Sequence, residues 1–379
     1  MVDEPKHTVF FSAAEASADH HCARLIEAMR AKLGPVRFLG LGGDAMAGAG
    51  CELLANLPER AAMLTHALGQ VGYYHRLRKD VKEVLAAERP GLVVVCDSPA
   101  WNFHVAKAAK KLGIPVLFYV APQLWAWGAW RAGKLRRSAD HVACILPFEA
   151  AWFEERGVKA TFVGHPLFDE ADPMVGPDPF LQASREFPTV ALLPGSRGHE
   201  IHHLWPVQQE VAVAIRKRYP NARFLASTHT EANATWLREH MRAGLEVEVR
   251  RTGIEAAVRH ADLAVVASGT ATLQVAMQHC PMIVMYHVPR WQWKLVGRWL
   301  VKTEHLSLVN ILAGWELAPE YMPLPRDPEV VAGKALEFLG DEEKRGQMRQ
   351  ALRELVKGLA GPGAAATTAE LAQGLLGRY

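Results

Sequence analysis

Val190-Ala-Leu-Leu-Pro-Gly-Ser-Arg197, with Glu200 three residues further on, is the stretch from which the architecture can be read. Val190 to Leu193 form an apolar run of strand length, Pro194-Gly195-Ser196 is a turn, and a helical pattern begins soon after. A strand that turns sharply into a helix start leaves backbone N–H groups unpaired. With Arg197 beside them they suit a phosphate or pyrophosphate. An ordinary strand-to-helix turn with a surface arginine fits the same residues. The plan recurs in Ala267-Ser-Gly-Thr-Ala-Thr272, where Ser268, Gly269 and Thr270 follow the apolar run 263–266 and precede a helical pattern at 271–278. Ser268 or Thr270 alone reads as a helix cap. Two such turns in one domain favour a nucleotide diphosphate.

Outward from these turns, apolar β-branched runs at 8–11, 36–41, 92–96, 116–120, 142–146 and 161–163 alternate with helical patterns such as 21–32, 81–88 and 103–112. The alternation resumes with runs at 190–193, 223–226, 263–267 and 282–286 and a helical pattern at 207–218. Continuous apolar strands separated by helices predict parallel α/β sheets covered on both faces. Pro166, Pro173, Pro177, Pro179 and Pro188 stand among several acids, a linker composition. The expected organisation is a Rossmann-like domain over 1–165, a linker over 166–188, a second Rossmann-like domain over 189–340 and a helical segment over 341–379. That last segment either crosses back onto the first domain or exchanges between subunits, which leaves a homodimer open. Two facing, doubly wound domains place ligands in the cleft between them, at the carboxyl ends of the strands.

Composition narrows the class. The chain has 379 residues, 50% hydrophobic and 22% charged, which excludes a disordered chain and a coiled coil. A net charge of +3 gives no reason to expect nucleic acid as a partner. The cysteines Cys22, Cys51, Cys96, Cys144 and Cys280 are scattered, with no C-x-x-C, and read as reduced thiols. Asp3, Glu4 and Pro5 stand where a signal peptide needs a basic end and an apolar run, so a cytoplasmic location is expected. No run approaches the roughly 18 apolar residues of a spanning helix.

Further candidates lie in the first half. The run 8–11 leads to Glu15, Ser17 and Asp19 at a helix start, where acids also serve as plain dipole partners. Asp97 ends the run 92–96 and precedes Ser98-Pro99, so it is either a general base for a hydroxyl nucleophile or the cap of the next helix. His199-Glu-Ile-His-His203 matches the zinc-protease pattern H-E-x-x-H, but it follows a phosphate-type turn and no third ligand is evident, so no metal is expected. Trp125, Trp127, Trp130, Arg131, Lys134, Arg136 and Arg137 mix indoles with cations, as a phosphorylated or lipid substrate would favour. In 290–302, Arg290, Lys294, Arg298 and Lys302 recur every four residues beside Trp291, Leu295 and Trp299. That is the composition of a helix in a membrane interface, and equally of a helix with its apolar row on a core.

Taken together, the chain resembles the lipid-A-disaccharide synthase family of inverting GT-B glycosyltransferases, from about residue 8 to residue 320. Ala14-Glu15-Ala-Ser17-Ala-Asp19 matches the family's G-E-x-S-G-D, and Asp97-Ser-Pro-Ala-Trp101-Asn102 its D-x-P-x-F-N. Then follow Pro122-Gln123, Trp125-Ala-Trp127 with Arg131, Leu146-Pro-Phe-Glu149 and Gly164-His-Pro166. Leu193-Pro-Gly-Ser-Arg197 with Glu200, Ala267-Ser-Gly-Thr-Ala-Thr-Leu273 and Asn310-Ile-Leu312 complete the series. The resemblance implies transfer of a sugar from UDP-2,3-diacylglucosamine to 2,3-diacylglucosamine 1-phosphate through a β(1→6) bond, releasing UDP. It further implies that Asp97 and Glu15 are catalytic, with Asp97 as general base, and that no cofactor or metal is needed. Ser196, Arg197, Glu200, Ser268, Gly269, Thr270, Gln274 and Asn310 would serve the nucleotide. Ser17, Asp19, Asn102, Trp125, Trp127 and Arg131 would face the acceptor lipid. Trp291, Lys294, Arg298, Trp299 and Lys302 would meet the cytoplasmic face of the inner membrane, making the enzyme peripheral there. The chain departs from the family at Ala14 and Ala18, where glycines are usual, at Cys22, at Gly128 for an arginine, and at Gln274 for an acid. Alanine in a loop needing positive φ would strain it.

Overall fold

The computed structural model describes residues 7–57, 67–170, 187–228, 230–288, 305–359 and 363–377. The chain divides into two compact units, 1–171 with 359–379, and 172–358. Most of the expected linker, and the segment holding Trp291, Lys294, Arg298, Trp299 and Lys302, lie outside the described residues.

The first unit is built on β1 (His7–Ala13), β2 (Val36–Gly42), β3 (Cys51–Asn56), β4 (Leu92–Cys96), β5 (Val116–Tyr119), β6 (His141–Cys144) and β7 (Ala160–Phe162). All pair in parallel, in the order β3-β2-β1-β4-β5-β6-β7. Strand periodicity explains both faces: Phe10, Val93, Val95 and Phe118 point into one core, and Val9, Phe11, Val94 and Leu117 into the other. Leu77, Val81 and Leu85 of helix Ala67–Glu88 and Val105 of helix Pro99–Lys111 cover the first core. Leu25, Ile26 and Met29 of helix Ala16–Leu33 cover the second, together with Ala369, Ala372 and Leu375 of helix Ala364–Leu376. The last helix therefore belongs to the first unit, although about two hundred residues separate it from β7. Asp169 anchors its start, accepting from the N–H groups of Ala364 and Ala365 at 2.9 and 2.8 Å.

The second unit carries β8 (Thr189–Leu193), β9 (Arg223–Ser227), β10 (Glu248–Arg250), β11 (Leu263–Ala267), β12 (Met282–Met285) and β13 (Glu320–Tyr321), in the order β10-β9-β8-β11-β12-β13, again all parallel. Trp205 of helix Gly198–Arg218, fully buried, packs into its core with Phe224, Val265 and Ile283. Met348 and Leu352 of helix Glu342–Leu359 join the same core.

Both units follow the doubly wound α/β plan that the apolar runs imply. Three strands escape the sequence reading: β3, β10 and β13, each at the edge of its sheet. An edge strand has one unpaired side and half-exposed side chains, so Glu52 and Glu248 interrupt what would otherwise be an apolar run. In each sheet the order reverses at one pair of neighbours, β1 with β4 in the first and β8 with β11 in the second. Loops leaving such a pair diverge to opposite faces and open a crevice at the carboxyl edge.

Between β1 and β2 the chains pass close at Gly40, where φ is +158°. A Cβ there would stand 2.0 Å from the Phe11 carbonyl oxygen. Gly40→Ala is therefore expected to destabilise the fold by about 2–4 kcal/mol. Chemical denaturation of the full chain checks this, and a loss below about 0.5 kcal/mol would show that the strands can part without cost.

Candidate active site

β1 ends in Ala13 and leads through Ala14 to Glu15, and β4 ends in Cys96 and leads to Asp97 and Ser98. Asp97 and Ser98 both lie in the left-handed region, with φ of +49° and +41°. Two adjacent non-glycine residues there store strain of order 1–3 kcal/mol each, kept only where surrounding contacts over-determine it. Those contacts are present. The Asn102 amide group donates to the carbonyls of Cys96 and Asp97, both at 2.8 Å. Its oxygen accepts from the Ser12 hydroxyl at 2.8 Å, and the Trp101 indole donates to Ser12 Oγ at 3.1 Å. The N–H groups of Trp101 and Asn102 cap back onto the Ser98 carbonyl, and Asp97 N–H donates to the Tyr119 carbonyl. Pro99 at the first helical position fixes where helix Pro99–Lys111 begins.

Ser98 Oγ donates to Glu15 Oε1 at 3.1 Å, which brings two acids and a hydroxyl to one switch point. Burial pushes the Asp97 carboxyl above its ordinary value, and the Glu15 charge pushes it further; the Ser98 N–H and His21 offset part of this. A carboxylate made more basic at the mouth of a crevice is suited to taking a proton from a hydroxyl.

Other residues of the first unit divide. Ser17 is exposed on the first turn of helix Ala16–Leu33. Asp19 and Asn102, expected on the acceptor side, direct their polar groups to the chain itself. Asp19 is buried and its carboxylate accepts from the N–H groups of Gly43, Ala45 and Met46, at 2.7, 3.0 and 3.2 Å. Asn102 is fully buried, with its carboxamide spent on the clamp beneath Asp97. Trp125 donates to Glu149 at 2.9 Å, and burial raises the Glu149 carboxyl to about 7. Arg131 lies with its guanidinium 5.0 Å from the Trp130 ring centre, and Trp130 is 80% exposed. Trp127 closes the short helix Leu124–Trp127, and its side chain lies outside the described set. Neither Ala14 nor Ala18 has positive φ, so the glycines missing from that loop leave no strain; Ala18 and Cys22 are buried on the helix. Gly128 takes φ of +133°, a conformation the usual arginine would resist.

In the second unit, the turn after β8 and the turn after β11 leave neighbouring strands. Gly195 and Gly269 adopt φ of +110° and +136°, so each turn is bent by its glycine. A Cβ on Gly195 would come 2.7 Å from Glu200 Oε2. Glu200 accepts from the Arg197 N–H at 3.4 Å and pairs with its guanidinium at 3.3 Å, while the Arg197 side chain remains 70% exposed. The Ser268 N–H donates to the Met285 carbonyl at 2.8 Å, tying the second turn to β12, and Thr270 is exposed at the start of helix Ala271–Met277. Asn233 donates to the Ser196 carbonyl at 3.2 Å. Gln274 donates to Glu255 at 2.9 Å, so a carboxylate still stands at this helix, contributed by a neighbouring one.

Asn310, expected to serve the nucleotide, is fully buried and bonded to Ala318 through both amide atoms and to Glu320. Of the two H-E-x-x-H histidines, His203 goes to ring stacking, as does the intervening His202. His203 stacks on His287 at 3.7 Å, and His202 on Trp236 at 4.3 Å. Among the described residues no three His, Cys, Asp or Glu groups are arranged to hold a metal ion, and no helix is long and apolar enough to cross a membrane. Sequence reading missed Ser12, Asn233, Glu255 and His287. A serine breaking an apolar strand was the one local signal among them; the others act through partners far along the chain.

Two parallel, doubly wound sheets in one chain are the plan of the GT-B fold class. The UDP-GlcNAc 2-epimerase of Neisseria meningitidis has the same fold at a TM-score of 0.63, with 11% identity over 98% of this chain and 99% of that one. MurG of Acinetobacter baumannii aligns at 0.57, with 16% identity over 97% and 99%. In sequence, residues 9–374 match the family described as Lipid-A-disaccharide synthetase. The lipid-A-disaccharide synthase of Syntrophus aciditrophicus is 36% identical over 97% of both chains, and that of Geobacter metallireducens 34% identical over the whole of both. The chain belongs to the lipid-A-disaccharide synthase family and is a glycosyltransferase of lipid A biosynthesis.

The raised Asp97 has a consequence for stability. Its native carboxyl holds a proton to higher pH than the unfolded chain does. This contribution therefore favours the fold below the ordinary carboxylate value and is lost as pH rises through the raised one. Asn tolerates the left-handed region and carries no charge. Asp97→Asn is thus expected to stabilise the protein at pH 7 by about 0.5–2 kcal/mol, with the gain shrinking towards pH 4. Denaturant titrations at the two pH values check it; a variant less stable than wild type at pH 7 would contradict the cost assigned to the Asp97 charge.

Proposed function

We propose that the chain joins UDP-2,3-diacylglucosamine to 2,3-diacylglucosamine 1-phosphate by a single inverting displacement that forms a β(1→6) bond. The observation that carries this reading is Asp97, held in a strained conformation at the first switch point with its carboxyl made more basic by burial and by Glu15. Asp97 takes the proton of the acceptor 6-hydroxyl as that oxygen bonds to the anomeric carbon. The bond from the same carbon to the diphosphate oxygen breaks, and UDP leaves with the electron pair. Glu15 orients Ser98 and keeps Asp97 basic. The turns with Ser196, Arg197, Ser268, Gly269 and Thr270 receive the charge that develops on UDP. Glu200 supports that role by holding Arg197, and Gln274 with Glu255 supplies polar groups beside the second turn.

The acyl chains require a membrane as the source of both substrates. Trp130, with Arg131 against its ring, supports contact of the first unit with an anionic lipid surface on the cytoplasmic side.

The test is UDP release from donor and lipid acceptor in detergent micelles, with EDTA present, comparing wild type, Asp97→Ala and Glu15→Gln. Wild type should turn over only with acceptor. Asp97→Ala should lose about 10²–10⁴-fold, and Glu15→Gln should move the acid limb of kcat/KM to lower pH because Asp97 loses a repelling neighbour. Turnover without acceptor would favour an epimerase or hydrolase on another UDP-sugar. UDP-sugar binding without turnover would favour a silent homologue.

A further inference from the structure

The histidines His199 and His203, together with His287, have no part in the chemistry described so far. His199 and His203 are four residues apart on helix Gly198–Arg218 and share a face, separated by about 6 Å along the axis. The His203 ring lies parallel to the His287 ring, with centres 3.7 Å apart and planes 14° from each other. His287 follows β12 by two residues, and the Met285 carbonyl at the end of β12 accepts the Ser268 N–H of the second phosphate-type turn. Helix Gly198–Arg218 itself starts at the first such turn, with Arg197 as its cap. The stacked pair is thus attached through short backbone paths to both turns.

We propose that His203 and His287 form a proton-coupled contact for the diphosphate of the nucleotide: when it binds, the pair takes up one proton from solvent and presents an imidazolium to the phosphate charge. The proposal rests on the nucleotide reading of the two turns. Like charges at this separation repel, so the stacked pair gains from an anion that offsets them. Burial lowers His287 below the ordinary imidazole value, and His203 and His199 lower it further. The charged groups of the adjoining helix turn are Arg197 and Glu200, which pair with each other. Beyond β12, the Glu320 carboxylate is committed to Leu306, Ser307 and Asn310. An arriving diphosphate supplies the negative charge that the pair lacks. The proton is gained on binding and returned to solvent when UDP departs.

The experiment is calorimetric titration of UDP into the full chain at pH 7 in buffers of different ionisation enthalpy, for wild type, His203→Asn and His287→Asn. Protons contributed by UDP itself are common to all three and cancel in the difference. Wild type should take up more protons than either variant, by up to ~1 per UDP. Its affinity should tighten as pH falls from 8 to 6, by up to ~10-fold per unit, more steeply than in the variants. His203 is exposed, so its replacement should leave the fold intact. Equal proton uptake in wild type and His203→Asn overturns the proposal while leaving the nucleotide site standing. Failure of folded wild-type chain to bind UDP overturns both.

Discussion

The Asn102 carboxamide, buried beneath the carboxyl edge of the first sheet, joins the end of β4 to the end of β1 and holds Asp97 and Ser98 in a backbone conformation that neither would adopt alone. A buried amide with unmet bonds costs more than its bonds return, so the group stabilises this arrangement only while its partners remain in place. Ser12, Trp101 and the two carbonyls at the end of β4 meet that condition. The strain in the loop and the basicity of Asp97 both depend on this clamp. The Asp97 backbone is kept out of its relaxed geometry by neutral hydrogen bonds, which leave its carboxylate charge untouched.

The two units apply one geometric rule to different chemistry. Parallel strands direct their carboxyl ends to one edge, and the reversal of strand order separates the loops there. In the first unit that edge gathers Glu15, Asp97 and Ser98; in the second it gathers glycine-bent turns with Arg197 and Ser268. The polar groups at the two edges thus differ in kind, a carboxylate pair with a hydroxyl in one and bent turns with a cation in the other.

Most central strands were legible because burial on both faces demands continuous apolar residues; the 92–96 and 263–267 runs coincide with β4 and β11. Edge strands were not, since half-exposed positions relax that demand. The motif residues divide along a similar line. Asp97, Glu15, Arg197 and Ser268 stand at or just beyond strand ends, with partners close in the chain or at the neighbouring strand end. Asp19, Asn102 and Asn310 have the same polar character in sequence, but long-range partners consume their hydrogen bonds. A sequence pattern records which groups are polar, not which of them the fold satisfies.

The sequence by itself determined the doubly wound architecture, the family, and which strand ends carry acids or glycine turns, because these follow from local periodicity and from residues near one another in the chain. The tertiary structure alone decided that Asp97 is strained and its carboxyl raised, that His203 of the H-E-x-x-H pattern stacks on His287, and that Glu255 stands beside Gln274. It also decided that the final helix packs on the first unit. Each of these depends on residues brought together from distant parts of the chain, where burial and hydrogen-bond satisfaction are set by the packed core and not by any stretch of sequence.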